Sequence, residues 1–170
     1  MNTPSEAQKI SASQPDWTRE QKSFFTWNPS RSLLASIRSY QKHGQSASIW
    51  SELQKKISLI RHHFWSIVTG ADIPVTVEIG GGLLIPHPNG IVIHARAKIG
   101  PNCLIFQQVT IGTNNSKGPP VLGGHVDIGA GAKVVGDFTV GDHAMIGANA
   151  VVLSDVPAGK TAVGIPARIL

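Results

Sequence analysis

The sequence predicts a mainly β fold: a parallel β-helix preceded by a short α-helical segment. Three observations predict it. From Leu122 to Leu153 an aliphatic residue falls every six positions, at Leu122, Ile128, Val134, Val140, Ile146 and Val152. Gly follows it directly at 123, 129, 141 and 147, and a small residue comes four places after it, at Val126, Ala132, Ala144 and Ala150. The composition agrees, because eighteen Gly and one Tyr among 170 residues suit turns that need Gly and a core of small aliphatics. A six-residue beat matches neither the 3.6-residue period of a helix nor the two-residue period of a long strand. It matches three short strands per coil of about eighteen residues, with the aliphatic residue pointing into the prism at every face. Gly then takes the turn, where a side chain would be strained.

In chain order, residues 1–28 read as a polar, irregular and partly disordered N-terminus that runs up to the apolar cluster Phe24, Phe25 and Trp27. Residues 29–71 predict two helices. Asn28-Pro29 is an N-cap followed by Pro at the first helical position. Leu33, Leu34, Ile37 and Tyr40 then keep a three-to-four spacing, and Gly44 ends the helix. In the second helix Ile49, Leu53, Ile57, Ile60, Phe64, Ile67 and Val68 mark one face, with Lys55, Lys56 and Arg61 off it. Those basic residues are the one place where contact with a membrane is open, and a solvated helix face has the same pattern.

Residues 72–170 form the predicted β-helix domain. Its beat starts at Ile73, Ile79 and Ile85, slips by two, and resumes at Ile93, Ile99, Ile105 and Ile111. The slip lies in IPHPNGIVI, where Pro86, Pro88 and Asn89-Gly90 signal a turn. A second break, TNNSKGPP, is too polar and too rich in Pro and Gly for a coil, so residues 113–120 are expected to leave the prism as a loop. Function concentrates where a rigid scaffold extrudes irregular backbone, and both breaks are candidate site walls.

Several classes are disfavoured. A net charge of +5 with no basic run interleaved with aromatics does not describe a nucleic-acid binder, whereas an anionic, nucleotide-bearing cofactor suits it. Cys103 is the single cysteine, so no disulfide framework exists. The N-terminus lacks an apolar signal core, and no stretch reaches the roughly eighteen apolar residues of a membrane span, which predicts a cytoplasmic protein. None of the seven histidines pairs at metal-ligand spacing on one element, so no metal is expected. His87, between two prolines, has two readings: an exposed turn residue, or a general base on a rigid backbone. Asp72 lies fifteen residues earlier, nearly one coil, so the two are expected one above the other at about the strand spacing of 4.8 Å. A turn residue is the plainer reading of Asp72.

The stretches HPNGIVI, FQQVTIG, IGAGAKVVG, IGANAVVLSDVP and VGIPARIL resemble the serine acetyltransferase branch of the left-handed β-helix, or hexapeptide-repeat, acyltransferases. The sequence is similar too to the short branch linked to extracellular and capsular polysaccharide synthesis. The resemblance covers Asp72 to Leu170 and implies a left-handed coil, a homotrimer, and acetyl-CoA as co-substrate in a groove between neighbouring prisms. It implies His87 as general base and Asp72 as the carboxylate that orients it. Gly112, Thr113, Ala130, Ala148 and Arg168 would line the acetyl-CoA groove. Ala130 and Ala148 are eighteen apart and so stack in successive coils, leaving room for a pantetheine arm.

The departures bear on the acceptor. Pro86 replaces the acidic residue that precedes this His in serine acetyltransferases, and Gly118 and Pro119 replace an Arg-His pair. The loop retains Asn114, Asn115 and Lys117 as candidate acceptor contacts. An amino acid needs charged partners, since an unpaired buried charge is costly. The loop therefore predicts a neutral sugar hydroxyl of a cell-surface polysaccharide or its precursor as acceptor. Serine O-acetylation and a non-catalytic trimeric scaffold remain the alternatives.

Overall fold

The computed structural model describes residues 10–23, 26–44, 48–114 and 118–170. Residues 72–170 wind as a left-handed parallel β-helix with three faces built from strands of two or three residues. Face one stacks Glu78–Ile79, Lys98–Ile99, Val121–Leu122 and Thr139–Val140. Face two stacks Leu104–Ile105, Asp127–Ile128, Met145–Ile146 and Thr161–Val163, with Arg168–Ile169 added antiparallel at its end. Face three stacks Val92–Ile93, Thr110–Gly112, Lys133–Val135 and Val151–Val152.

Register shows how the breaks are absorbed. An undisturbed coil pairs Val92 with Thr110 and Asp127 with Met145, eighteen positions apart. Across the first break Glu78 pairs with Lys98, twenty apart, and across the 113–120 loop Lys98 pairs with Val121. The ladder on either side of each break keeps its pairing.

Two inward positions per hexad fill the prism. Ile79, Ile99, Ile105, Ile128, Val134, Val140 and Ile146 are all buried, at 0 to 8% exposure. Val77, Leu83, Ala97, Cys103, Val109, Val126, Ala132, Ala144 and Ala150 form the second set and are buried too. Ile91 belongs to the same second set, two residues before Ile93, so the inward pattern resumes directly after the slip. Each fully buried aliphatic contributes about 1.5–3 kcal/mol relative to exposure. The edges turn through residues in the left-handed region: Gly90, Gln108, Gly131 and Asn149 on the edge between faces two and three, and Asn102, His125 and His143 on the edge between faces one and two.

Helix α1 (Pro29–His43) starts where Asn28 accepts a hydrogen bond from the Arg31 amide at 3.1 Å, and it buries Leu33, Leu34 and Ile37 on the first coil. Helix α2 (Ile49–Thr69) ends at Gly70 in the left-handed conformation. Its apolar face points to solvent, with Ile49 88%, Ile60 71% and Ile67 82% exposed. An amphipathic stripe ordinarily faces the core. Here the small polar face packs instead: the Ser58 hydroxyl donates to Ser39 Oγ at 2.8 Å, and Ser51 donates to the His43 carbonyl at 2.6 Å.

The N-terminal segment also departs from expectation. Residues 10–20 lie along the edge between faces one and two, held by the fully buried Asn102. Its Oδ1 accepts from the Asp16 amide at 2.8 Å, and its Nδ2 donates to the carbonyls of Ser11 and Gln14 at 2.7 Å each. Glu20 pairs with Arg38 at 2.8 Å and accepts from the Gly82 amide. Backbone groups are the partners, which is why a polar composition concealed the docking. Phe24 and Phe25 lie outside the described residues.

Candidate active site

Pro86, His87 and Pro88 stand on the edge between faces two and three, where the two-residue slip pushes the chain outward. The amide of Gly90 donates to the Gly70 carbonyl at 2.8 Å, which draws this turn against the end of α2. Gly70 is left-handed at φ 65°, a conformation that favours glycine, and a Cβ there would also displace the Asn89 side chain, whose Nδ2 would be 2.7 Å away. The result is a cavity of about 650 Å³ between the turn, the start of α1 and the end of α2, with Asn28, Arg31, Val68, Thr69, Leu84 and His87 in its wall. His87 is exposed, and its imidazole has no hydrogen-bond partner among the described residues.

Asp72 is not stacked on His87. Its ladder partner is Val92, with the Asp72 amide donating to the Ile91 carbonyl at 2.8 Å and the Ile93 amide donating to the Asp72 carbonyl at 2.9 Å. The expectation assumed an eighteen-residue coil, and the slip makes this coil twenty. Both residues still belong to one edge, because Gly70 lies over Gly90 just before Asp72 and Val92. The Asp72 carboxylate is exposed and unpaired among the described residues.

The residues implied for the cofactor divide between two edges. Ala130 and Ala148 continue the His87 edge through successive coils: the Gln108 amide donates to Asn89, Gly131 to Gln107, and Asn149 to Ala130, all at 2.8 to 2.9 Å. Gly112 and Thr113 lie across face three, and Asn114 lies beside Gly136 there. Asn115 and Lys117 fall outside the described residues. Arg168 is exposed on the closing hairpin, which the Ala167 amide ties to the Val151 carbonyl at 2.8 Å. One chain thus gathers His87, Ala130 and Ala148 along one edge, with the Arg168 hairpin at its end, but not Gly112 or Thr113.

A second cavity, about 470 Å³, lies on the edge between faces one and two, beside His125 and His143, whose Nδ1 atoms are 2.9 Å apart. It contains none of the residues that the sequence singled out as site residues. Cys103 occupies an inward coil position, and burial pushes its thiol up to about 12. Among the described residues no group of three or more His, Cys, Asp or Glu converges on a point, and no helix is long and apolar enough to cross a membrane. Arg31 and Asn28 are the cavity residues that sequence reasoning passed over as site candidates. Asn28 was legible as a helix cap, but nothing local says where that helix start docks.

No family model matches the chain. The chain is 42% identical over 111 residues to a serine acetyltransferase of Synechococcus elongatus, covering 64% of this chain and 46% of that protein. It is 40% identical over 152 residues to a serine acetyltransferase of Staphylococcus xylosus, covering 82% of this chain and 69% of that one. The chain spans about half the length of several curated relatives it matches. A solved serine acetyltransferase in complex with CoA superposes with a TM-score of 0.70 at 35% identity, covering 85% of this chain and 58% of the other. A serine acetyltransferase of Neisseria gonorrhoeae in complex with serine gives 0.69 at 31%, covering 84% and 57%.

These relatives overturn the expectation of a sugar acceptor and the link to polysaccharide synthesis, because they are serine acetyltransferases. The expectation rested on the 113–120 loop as the acceptor wall. Among the described residues the cavity at His87 is walled by the two helices and the turn itself, and Arg31 stands in it.

Proposed function

The chain belongs to the serine acetyltransferase family, and from that premise we propose that it transfers acetyl from acetyl-CoA directly to the hydroxyl of serine, with His87 as general base. The observation that carries this reading is the place of His87. It is an exposed imidazole, unpaired among the described residues, on a proline-flanked turn, at a cavity and on the same edge as Ala130 and Ala148. An imidazole there can take the hydroxyl proton as the oxygen adds to the thioester carbonyl, and then protonate the departing CoA thiolate. Asp72, on the same edge and free of ion pairs among the described residues, is the carboxylate to orient it. Direct attack needs no acyl-enzyme, and the buried Cys103 is unsuited to forming one.

Acetyl-CoA would run along the small residues Ala130 and Ala148, with Gly112, Thr113 and Arg168 completing its groove. Face three separates Gly112 and Thr113 from the others within one chain. A homotrimer, with one chain's loop edge laid against the next chain's His87 edge, brings them together, and it is part of the same proposal. A cytoplasmic location is part of the same proposal. The test is CoA release by the purified protein supplied with acetyl-CoA and L-serine, with O-acetylserine identified by mass spectrometry. Release that depends on serine and matches the acetylserine formed is the expected result. CoA release without acetylserine overturns the reading.

A further inference from the structure

Arg31 is placed against its helix's interest. It is the third residue of α1, in a first turn without acidic residues, where the positive end of the helix dipole disfavours a cation. It forms no ion pair among the described residues; a guanidinium N–H donates only to the Gln21 carbonyl. Half-buried, it lines the same cavity as His87. Among the described residues Asp and Glu are absent from the cavity wall, and Arg31 and His87 are the ones there able to carry positive charge. Asn28, Ser30, Thr69 and Asn89 add neutral polar groups.

We propose that Arg31 binds the carboxylate of the acceptor, and that this site reads the acceptor's carboxylate rather than its ammonium. The inference rests on the acetyl-transfer reading above and sharpens its substrate class to hydroxy-carboxylates. A guanidinium presents paired N–H donors that match a carboxylate in plane, and a half-buried setting strengthens that pair relative to water. With the carboxylate held at the α1 wall, the acceptor's hydroxyl is left to reach toward His87. An acceptor ammonium meets only neutral oxygens on this wall, so it adds little.

The experiment compares L-serine, 3-hydroxypropionate, which lacks the amine, and ethanolamine, which lacks the carboxylate, on the full chain and on Arg31→Ala and Arg31→Lys. Circular dichroism checks that both variants fold. Wild type is expected to acetylate serine and 3-hydroxypropionate with kcat/KM within about tenfold of each other, and ethanolamine at least about a hundredfold less well. Arg31→Ala should raise the serine KM by about 10- to 100-fold with kcat little changed, the mark of lost ground-state binding, and leave the KM for acetyl-CoA alone. Arg31→Lys should fall between, since it keeps the charge and loses the fork. Equal use of ethanolamine and serine, or a serine KM indifferent to Arg31→Ala, overturns the proposal while leaving acetyl transfer to serine intact. If no acceptor turns over, the acetyl-transfer reading fails, and calorimetry of 3-hydroxypropionate binding decides Arg31. Weaker binding in Arg31→Ala supports the assignment, and unchanged or absent binding overturns it.

Discussion

At the scale of single residues, environment decides which side chain can take part in chemistry. Cys103 and His87 sit on successive coils of one prism, yet one faces the core and the other solvent. Burial holds the Cys103 thiol protonated, its value raised from 9.0 to about 12. The folded value lies above the unfolded one, so this contribution to stability is intact below about 9 and is lost as pH rises through about 12. Iodoacetamide at pH 8 should therefore label Cys103 only after denaturant unfolds the chain, as followed by intact mass. Labelling of native protein at the rate of a free thiol would contradict the burial. The inward place of Cys103 was legible in the sequence, because it falls on the small-residue position of its hexad. The geometry of Asp72 was not: two inserted residues moved its ladder partner to Val92, and a slip in register is invisible until the coil closes.

At the scale of elements, periodicity reported the strands faithfully, since every sixth aliphatic faces one shared core and has no other place to go. Helices were less transparent. The apolar stripe of α2 was readable from spacing, but spacing does not say which face packs, and Ser51 and Ser58 proved to be the seated side. The N-terminal segment carried no periodic signal at all, because its anchor is a single buried amide, Asn102, some ninety residues away. The strand account makes a paired prediction. Ile99→Ala removes a side chain that is 3% exposed and should cost about 2–5 kcal/mol in urea denaturation. Lys98→Ala, one residue earlier, breaks only the surface pair with Glu78 at 3.1 Å and should cost under about 1 kcal/mol. Equal losses would mean that the hexad does not set the core.

At the scale of the whole molecule, the site residues implied by the family resemblance are spread over two edges of one prism. That distribution is what a site shared between copies needs, and light scattering at micromolar concentration should give three times the chain mass of 18.0 kDa. A monomer that retained full activity would separate the shared groove from the chemistry. The acceptor expectation rested on residues 113–120, whereas the described residues that wall the cavity at His87 come from the start of α1, the end of α2 and the turn itself. The most direct test of the central claim is turnover of His87→Ala against wild type, with acetyl-CoA and L-serine both saturating. The general-base account predicts a fall in kcat of about 10² to 10⁴, with folding and CoA binding intact and a smaller loss for Asp72→Asn. Near-normal turnover by a folded His87→Ala protein would contradict it.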